Sequence, residues 1–337
     1  MSVHDGGLRN IAIGRGAMKA TDAGSVSEAS DDNIFIGYSA GGGTWANQDN
    51  SHCIGIGSSA LEGALQGNYT DGTIAIGHSA LYTLTSGAGN IAIGYQALTA
   101  LLDGSSNTAV GYNALLAETE GFYSTAVGYG ALTSQNGIDG AVSNTAVGFN
   151  AGAFVTTGIN STFVGSEAGQ GITGAKLIGD NNTAFGTGSG KLLQGAAHSN
   201  TFIGSTAGNV ATTAVENTCL GFNCDIQDAT ATNQVVIGNN VTGTADNQVH
   251  IGNDSNHLHT AFSSDSWAAT SDIRQKKNIQ DDTLGLEFIN SLRTTTYQHK
   301  SPSEFPKEWT SYDADNKESM DGDKVFHSLI AQEVKQS

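Results

Sequence analysis

The residues with the clearest chemical potential lie near the carboxyl end, where Ser271 opens the basic segment Ser-Asp-Ile-Arg-Gln-Lys-Lys. A serine hydroxyl is a poor nucleophile near neutral pH, and a lysine whose pKa is lowered by burial or by nearby cations can take its proton. Arg274, Lys276 and Lys277 form a basic cluster close to Ser271 in sequence, and neighbouring cations of this kind lower the pKa of a lysine. The same residues also suit a helix cap at Ser271 followed by a solvated basic face. The local sequence leaves both interpretations open.

A second candidate is the pair His257 and His259, separated by Leu258. Side chains alternate along an extended chain, so both imidazoles would lie on one face, and imidazole is a common ligand of transition metals. Copies of the chain around one axis would bring several such pairs together, and His250 could lie near the same axis. Two solvated histidines in a polar segment are the alternative interpretation.

Two other chemistries are disfavoured by spacing. The stretch from Gly186 to Lys191 looks like a phosphate-binding loop, but Phe185 stands where the first glycine is required and Leu192 replaces the hydroxyl residue. Nucleotide binding is therefore not predicted. Paired carboxylates for glycoside hydrolysis would have to come from inserted loops such as 103–106, 118–124 or 136–144, because the repeated strands carry almost no acidic residue.

Composition narrows the classes of protein further. The 337 residues include 45 glycines and 2 prolines, with 14% charged and 7% aromatic residues, which excludes collagen and a thick leucine-rich core. A net charge of −18 argues against nucleic acid and anionic lipid as partners. Cys53, Cys219 and Cys224 show neither a disulfide framework nor zinc spacing. With no signal peptide or bilayer-length apolar run, we expect folding in a cytoplasm and no membrane insertion.

A repeated pentad, Asn-Thr/Ile-Ala-Ile/Val-Gly, organises most of the chain that precedes the two candidate sites. It recurs fourteen times between Asn10 and Gly252 with a base period of 17 residues. Its alternation predicts a short strand, and strands this short must stack in parallel, about 4.8 Å apart, to bury a face. The predicted fold class is mainly β, a parallel β-roll or solenoid of about fourteen rungs. An alanine three residues after most pentads predicts a second short strand in each rung.

Each pentad position predicts a structural role. Position four, as in Val110, is expected to face a dry interior. Position three, as in Ala109, is expected to face outward, where small residues let identical rolls pack around a common axis and protect sheet edges. The asparagine of position one suits a ladder of stacked amides. The glycine suits a tight bend with positive φ or a close backbone approach.

Copies such as NIAIGYQAL at 90–98 and NTAVGYNAL at 107–115 resemble the head repeats of trimeric autotransporter adhesins, which form left-handed parallel β-rolls in trimers. The resemblance covers roughly residues 10–252 and implies a homotrimer. Longer rungs are where a solenoid places variable surface, and aromatic rings there would suit carbohydrate contact. Solvated turns are the alternative for these insertions, which are 18–32, 41–52 with Trp45, 61–72 with Tyr69, 133–143 and 170–181.

The repeat ends at Gly252, and the density of charged residues changes further along the chain. Residues 1–270 hold five basic and twenty acidic side chains, whereas 271–337 hold nine and twelve. We therefore predict a lead at 1–9, the β-roll at 10–252, a polar connector at 253–270 and a small α+β domain at 271–337. That domain is expected to contain a helix around 284–292 and a strand within 294–300.

Two motifs in this last domain resemble the endosialidase-type intramolecular chaperone and auto-protease domain found at the ends of phage tail fibres and tailspikes. The motif S-D-x-R-x-K-x-N-I is matched by Ser271, Asp272, Arg274, Lys276, Asn278 and Ile279, and the motif H-x-x-x-A-Q-E-V by His327, Ala331, Gln332, Glu333 and Val334. The family normally continues with long helices after the second motif, so the resemblance implies that 271–337 is either a truncated or a reduced version of the domain.

The resemblance implies that this domain drives trimer assembly and then cuts itself off before Ser271. Ser271 would attack the carbonyl carbon of Thr270, with Lys276 as general base. The supporting residues implied are Asp272, Arg274, His327, Gln332 and Glu333.

These observations predict a homotrimeric phage tail-fibre or receptor-binding protein of the virion, assembled in the host cytoplasm. Its partners would be a host surface glycan or protein receptor and other tail proteins. No external substrate and no cofactor are expected, apart from an axial metal ion at His257 and His259, a stretch that is similar to metal-binding phage fibre tips. The alternatives are a polysaccharide-degrading tailspike and a bacterial trimeric adhesin head, the latter requiring a secretion signal and a membrane anchor.

Overall fold

Each pentad forms a short β-strand because its side chains alternate between two faces. The computed structural model describes residues 8–19, 30–45, 50–63, 65, 70–137, 140–263, 268–269, 294–297, 300–307, 313–317 and 326–329. The chain separates into two units, Met1–Thr270 and Ser271–Ser337.

The first unit is a β-solenoid whose fourteen pentad strands pair in parallel with their motifs in register. Thr108 pairs with Thr125, Ala109 with Ala126 and Val110 with Val127, and the same register repeats along the stack. The predicted solenoid of about fourteen rungs is therefore confirmed. In stacking order the strands are β1 (Ile11–Ile13), β2 (Ile34–Ile36), β3 (Ile54–Ile56), β4 (Ile74–Ile76), β5 (Ile91–Ile93), β6 (Thr108–Val110), β8 (Thr125–Val127), β10 (Thr145–Val147), β11 (Thr162–Val164), β12 (Thr183–Phe185), β13 (Thr201–Ile203), β14 (Thr218–Leu220), β15 (Val235–Asn239) and β16 (Gln248–Asn253).

Shorter elements complete the structure. Strands β7 (Gly121–Phe122) and β9 (Gly140–Ala141) form a separate parallel pair. Strands β17 (His257–Ala261) and β18 (Ala268–Ala269), within the segment predicted as a polar connector, extend the large sheet in antiparallel fashion. In the second unit, β19 (Thr294–Tyr297) pairs with β20 (Phe326–Leu329), and a 3-10 helix spans Pro302–Glu304. The strand expected within 294–300 is thus present, whereas the helix expected around 284–292 lies outside the described residues.

The prediction of which pentad position faces inward was wrong. In β6, Ala109 is fully buried while Thr108 and Val110 are partly exposed, and the other regular rungs follow the same pattern. Position three therefore lines the interior, and positions two and four face outward. The physical reason is the width of the rung: leucines such as Leu98 and Leu115 fill the interior from the opposite side, which leaves room only for a small side chain opposite them.

The second apolar point of each rung is a turn rather than the predicted strand. Leu98 donates its N–H to the carbonyl oxygen of Ala114 at 3.0 Å, which continues the hydrogen bonding from rung to rung. Its φ is 51°, in the left-handed region, which an extended strand does not use. The alanines at this point, such as Ala97 and Ala114, are fully buried, as the repeat predicted.

The two polar columns of the repeat take the predicted roles. The buried Asn107 side chain donates to the carbonyl oxygen of Gly121 at 2.8 Å and accepts from the N–H of Ser124 at 2.9 Å. Equivalent bonds link Asn182, Asn200 and Asn217. Gly111 has a φ of 143°, and a Cβ there would collide with the carbonyl oxygen of Gly128. Only glycine allows this approach of consecutive rungs.

Candidate functional sites

A cluster of three histidines lies at the carboxyl-terminal end of the solenoid. His250 occupies the inward position of β16 and pairs with His259 of the antiparallel strand β17, while His257 pairs with Gly252. Residues directly opposite one another in such strands point to the same face. One ring nitrogen from each histidine lies within 4.8 Å of the corresponding atoms of the other two. The sequence had singled out His257 and His259 and had suggested that His250 lies near them; the strand pairing places His250 directly opposite His259.

The surroundings of His250 favour its neutral form. Burial, followed by the charges of the neighbouring His259 and His257, lowers the pKa of His250 to about 4. The Nε2 atom of His250 lies 3.0 Å from Oε1 of Gln248. Among the residues that the structure describes, all three histidines hold a buried Nδ1 atom with no hydrogen-bond partner.

A second candidate is the outward face of the large sheet. Although the chain carries a net charge of −18, no residue at position two or four of the fourteen pentads is charged. Large apolar side chains on this face are exposed to solvent, among them Ile13 at 59%, Phe185 at 55% and Leu220 at 44%. We call the outward positions two and four of the fourteen pentads the apolar stripe. A large exposed apolar patch of this kind is typical of a protein–protein interface.

A ladder of aromatic rings borders this stripe. His78 stacks on Tyr95 with centroids 5.3 Å apart, Tyr95 on Tyr112 at 4.9 Å, Tyr112 on Tyr129 at 5.2 Å and Tyr129 on Phe149 at 5.5 Å. Each ring comes directly after a pentad glycine. This repeated position was a signal in the sequence, although the ladder was not predicted from it. Most ring faces are covered by the next ring, which leaves mainly ring edges for contact with another molecule.

Two inserted loops hold residues that serve the fold. Trp45 is fully buried and packs edge to face on Phe35 with centroids 5.4 Å apart, so it offers no surface for a sugar. Tyr69 lies outside the described residues. Glu118 is also fully buried; its carboxylate accepts from the N–H groups of Gly121 and Gly137 and from Nε2 of Gln135. The buried Trp45 therefore does not support carbohydrate binding, and the buried Glu118 does not support carbohydrate cleavage.

Most residues of the expected self-cleavage site lie outside the part of the chain that the structure describes. Thr270, Ser271, Asp272, Arg274, Lys276, Gln332 and Glu333 lie outside the described residues. His327 lies in β20, opposite Thr296 of β19. The last described residues before the expected cut are Ala268 and Ala269 in β18, which pairs with the strand of the histidine cluster.

The apparent phosphate-binding loop belongs to the repeat. Gly186 ends the pentad of β12, and Lys191 forms an ion pair with Glu167, with Nζ and Oε2 2.6 Å apart. None of the described residues form a helix of the length and hydrophobicity needed to cross a bilayer.

Comparison with known proteins identifies the carboxyl-terminal segment. Residues 271–337 match the family described as "Chaperone of endosialidase". This range coincides with the second structural unit, Ser271–Ser337. No curated protein and no solved structure matches the chain significantly.

Proposed function

We propose that this chain is a homotrimeric phage tail-fibre or receptor-binding protein that attaches the virion to its host. The observation that carries the proposal is the combination of a chaperone-of-endosialidase domain at residues 271–337 with a β-solenoid directly before it. Domains of this kind occur at the ends of tailspikes and tail fibres, and the solenoid supplies the corresponding elongated body. The virion is the proposed location.

The apolar stripe supports the association of identical solenoids. A partner must match an uncharged surface that repeats with every rung from Ile13 to Ile251, and a second copy of the chain has this same period. The predicted packing through the small position-three residues was wrong, because these residues are buried within a single chain. We therefore place the proposed contact at the outward positions two and four and at the aromatic ladder, and the resemblance to trimeric adhesin heads supports three copies.

The proposed role of residues 271–337 is to assist trimer assembly and then to detach. In the self-cleavage, Ser271 Oγ attacks the carbonyl carbon of Thr270 and Lys276 takes the hydroxyl proton. The peptide C–N bond breaks, the new amino group at residue 271 takes up a proton, and water then hydrolyses the ester. The match of the domain and the Ser-Asp-x-Arg-x-Lys motif support this assignment.

Native mass spectrometry of freshly purified protein, followed by the same sample denatured, tests the assembly. Three chains per particle, with a denatured subunit that ends at Thr270, would support both parts of the proposal. A full-length trimer would support the fibre and oppose self-cleavage. A monomeric particle would contradict the stripe as an interface between copies.

Host attachment needs a separate experiment. Fluorescently labelled trimer is expected to bind a subset of strains in a bacterial panel and to leave the length of their surface polysaccharide unchanged. Shortening of the polysaccharide would instead favour the tailspike enzyme. If the trimer binds none of the strains that are infected by the phage carrying this protein, adhesion is contradicted.

A further inference from the structure

The histidine cluster at the end of the solenoid has a geometry that the expected axial site does not explain. The sequence predicted a metal bound by two histidines from each of three chains. In the structure, however, His257 and His259 lie against His250, which faces the interior of its own chain. The ring centroids are 5.3 Å apart for His250 and His259, 5.7 Å for His250 and His257, and 5.9 Å for His257 and His259.

We propose that His250, His257 and His259 of a single chain bind one divalent transition-metal ion, of the Zn²⁺ class. Three imidazoles with a fourth position for water form a ligand set that Zn²⁺ accepts. Nitrogen ligands about 2.1 Å from a tetrahedral ion lie about 3.4 Å from one another. Ring nitrogens within 4.8 Å of each other reach that spacing by small side-chain rotations.

The buried nitrogen atoms are an independent observation that points to a ligand. A buried polar atom without a partner costs free energy, and in this cluster three Nδ1 atoms lack one among the described residues. Nε2 of His250 lies 3.0 Å from Oε1 of Gln248, which accepts its proton in one tautomer, and 3.3 Å from the backbone N of Thr244, which donates to it in the other. The first tautomer leaves the Nδ1 lone pair of His250 free for a metal, and a metal at Nδ1 would select it, as partners of metal-bound histidines usually do.

The position of the cluster indicates a structural role. One ligand lies on β16, the last parallel strand, and two lie on β17, which reverses direction and pairs with β18. A bound ion would therefore join the end of the repeat to the last strand before residue 271. The ligands all come from one chain, so the site does not depend on the proposed trimer.

The test uses the 337-residue chain without a polyhistidine tag, stripped with a chelator and then titrated with Zn²⁺ by calorimetry. We expect one ion per chain and a Tm that rises with the concentration of Zn²⁺. His257→Ala and His259→Ala should each weaken binding about tenfold or more. His198→Ala, a histidine outside the cluster whose ring contacts Ser199, is the matched control and should bind as the unchanged protein does.

The third ligand needs a variant that keeps the fold. His250→Phe suits this purpose because Phe35, Phe163 and Phe202 occupy the same inward position in other rungs. We expect it to remain folded and to lose Zn²⁺ binding. One ion per three chains with normal binding by His250→Phe would overturn the proposal in favour of an axial site, and binding equal in all variants would overturn it as non-specific.

Co²⁺ provides a second measurement. Bound to three imidazoles and water, it should give the intense visible absorption of a four-coordinate ion, whereas six imidazoles would give the weak bands of an octahedral ion. The weak spectrum would contradict the single-chain site even if the stoichiometry were ambiguous.

Discussion

Phe163 and Gly169 share one space inside the solenoid. A Cβ built on Gly169 would overlap the phenyl ring of Phe163, and a Cβ on Gly152 would lie 2.9 Å from its Cδ2 atom. In the regular rungs this space is filled by a leucine, such as Leu132, opposite an alanine. The same exchange occurs between Phe35 and Gly41 and between Phe202 and Gly208.

This exchange predicts a rescue. Phe163→Ala should lower the free energy of unfolding by about 3–5 kcal/mol because it leaves a cavity. Adding Gly169→Leu should recover more than half of the loss, since Leu132 holds the equivalent position at a φ of 50° and Gly169 has a φ of 53°. Gly169→Leu alone should destabilise by overpacking. Denaturant unfolding of the four proteins gives the coupling energy.

A control for the added side chain is Gly174→Ala, where a Cβ would meet nothing within 4 Å. It should leave stability nearly unchanged. If the double variant is as unstable as the sum of its two singles, the proposed sharing of space is wrong.

The outward stripe predicts a change of assembly upon introduction of a charge. Val147 on the stripe and Val210 outside the strands are both 38% exposed, so they form a matched pair. Val147→Lys should reduce the trimer fraction in native mass spectrometry at least tenfold, because a buried unpaired charge in each of three chains costs several kcal/mol. Val210→Lys should leave the trimer intact. Equal behaviour of the two variants would argue against the stripe as an interface.

Self-cleavage predicts a specific pattern among neighbouring residues. Ser271→Ala should abolish the cut and Lys276→Ala should slow it by about two to four orders of magnitude, since they remove the nucleophile and its general base. Lys277→Ala is the matched control and should slow the reaction much less. The denatured mass of the subunit over time measures each rate. Cleavage that persists in Ser271→Ala would rule out Ser271 as the nucleophile.

Asp225 predicts a pH dependence of stability. Burial raises its pKa to about 6, although its carboxylate accepts the N–H groups of Val210 and Ile226. The folded state therefore binds this proton more tightly than the unfolded chain, whose carboxyl has a pKa of about 3.9. The resulting stabilisation is complete below about pH 4 and is lost as the pH rises through about 6.

The variant Asp225→Asn keeps the accepting oxygen and removes the charge. At neutral pH it should be more stable than the unchanged protein by about 1–2 kcal/mol, a range reduced for partial exposure. The difference in Tm between the two proteins should vanish below about pH 4. A difference that stays constant across this range would show that ionisation of Asp225 is not its cause.

Glu118 predicts sensitivity to a very conservative change. Its Oε2 atom accepts from Nε2 of Gln135 at 2.7 Å, and its Oε1 atom accepts from backbone N–H groups. In Glu118→Gln the new side-chain NH2 group would replace Oε2 and face the NH2 group of Gln135, so that two donors meet without an acceptor. The variant should therefore lose about 1–3 kcal/mol of unfolding free energy. The exchange Glu118→Gln with Gln135→Glu restores a donor and an acceptor and should recover much of that loss. Thermal unfolding at one scan rate compares them, and a single variant as stable as the unchanged protein would contradict this account.

The sequence by itself determined the architecture. A motif that recurs fourteen times fixes the strand positions and their parallel register, because identical short strands bury their faces only by stacking. The asparagine and glycine columns were also predictable, since a side-chain amide and a residue without Cβ have few alternative uses at a fixed position. The boundary in charge density near residue 271 marked a segment that matches a known domain family.

Only the tertiary structure decided which face of each strand is inside. Alternation distinguishes position three from positions two and four, but the choice between them depends on the volume left by Leu98 and Leu115 across the rung. Likewise, the approach of His250 to His257 and His259 depends on the reversal between β16 and β17. Both features depend on contacts between residues that are far apart in sequence. Packing and strand pairing set these contacts, and local conformational preference does not.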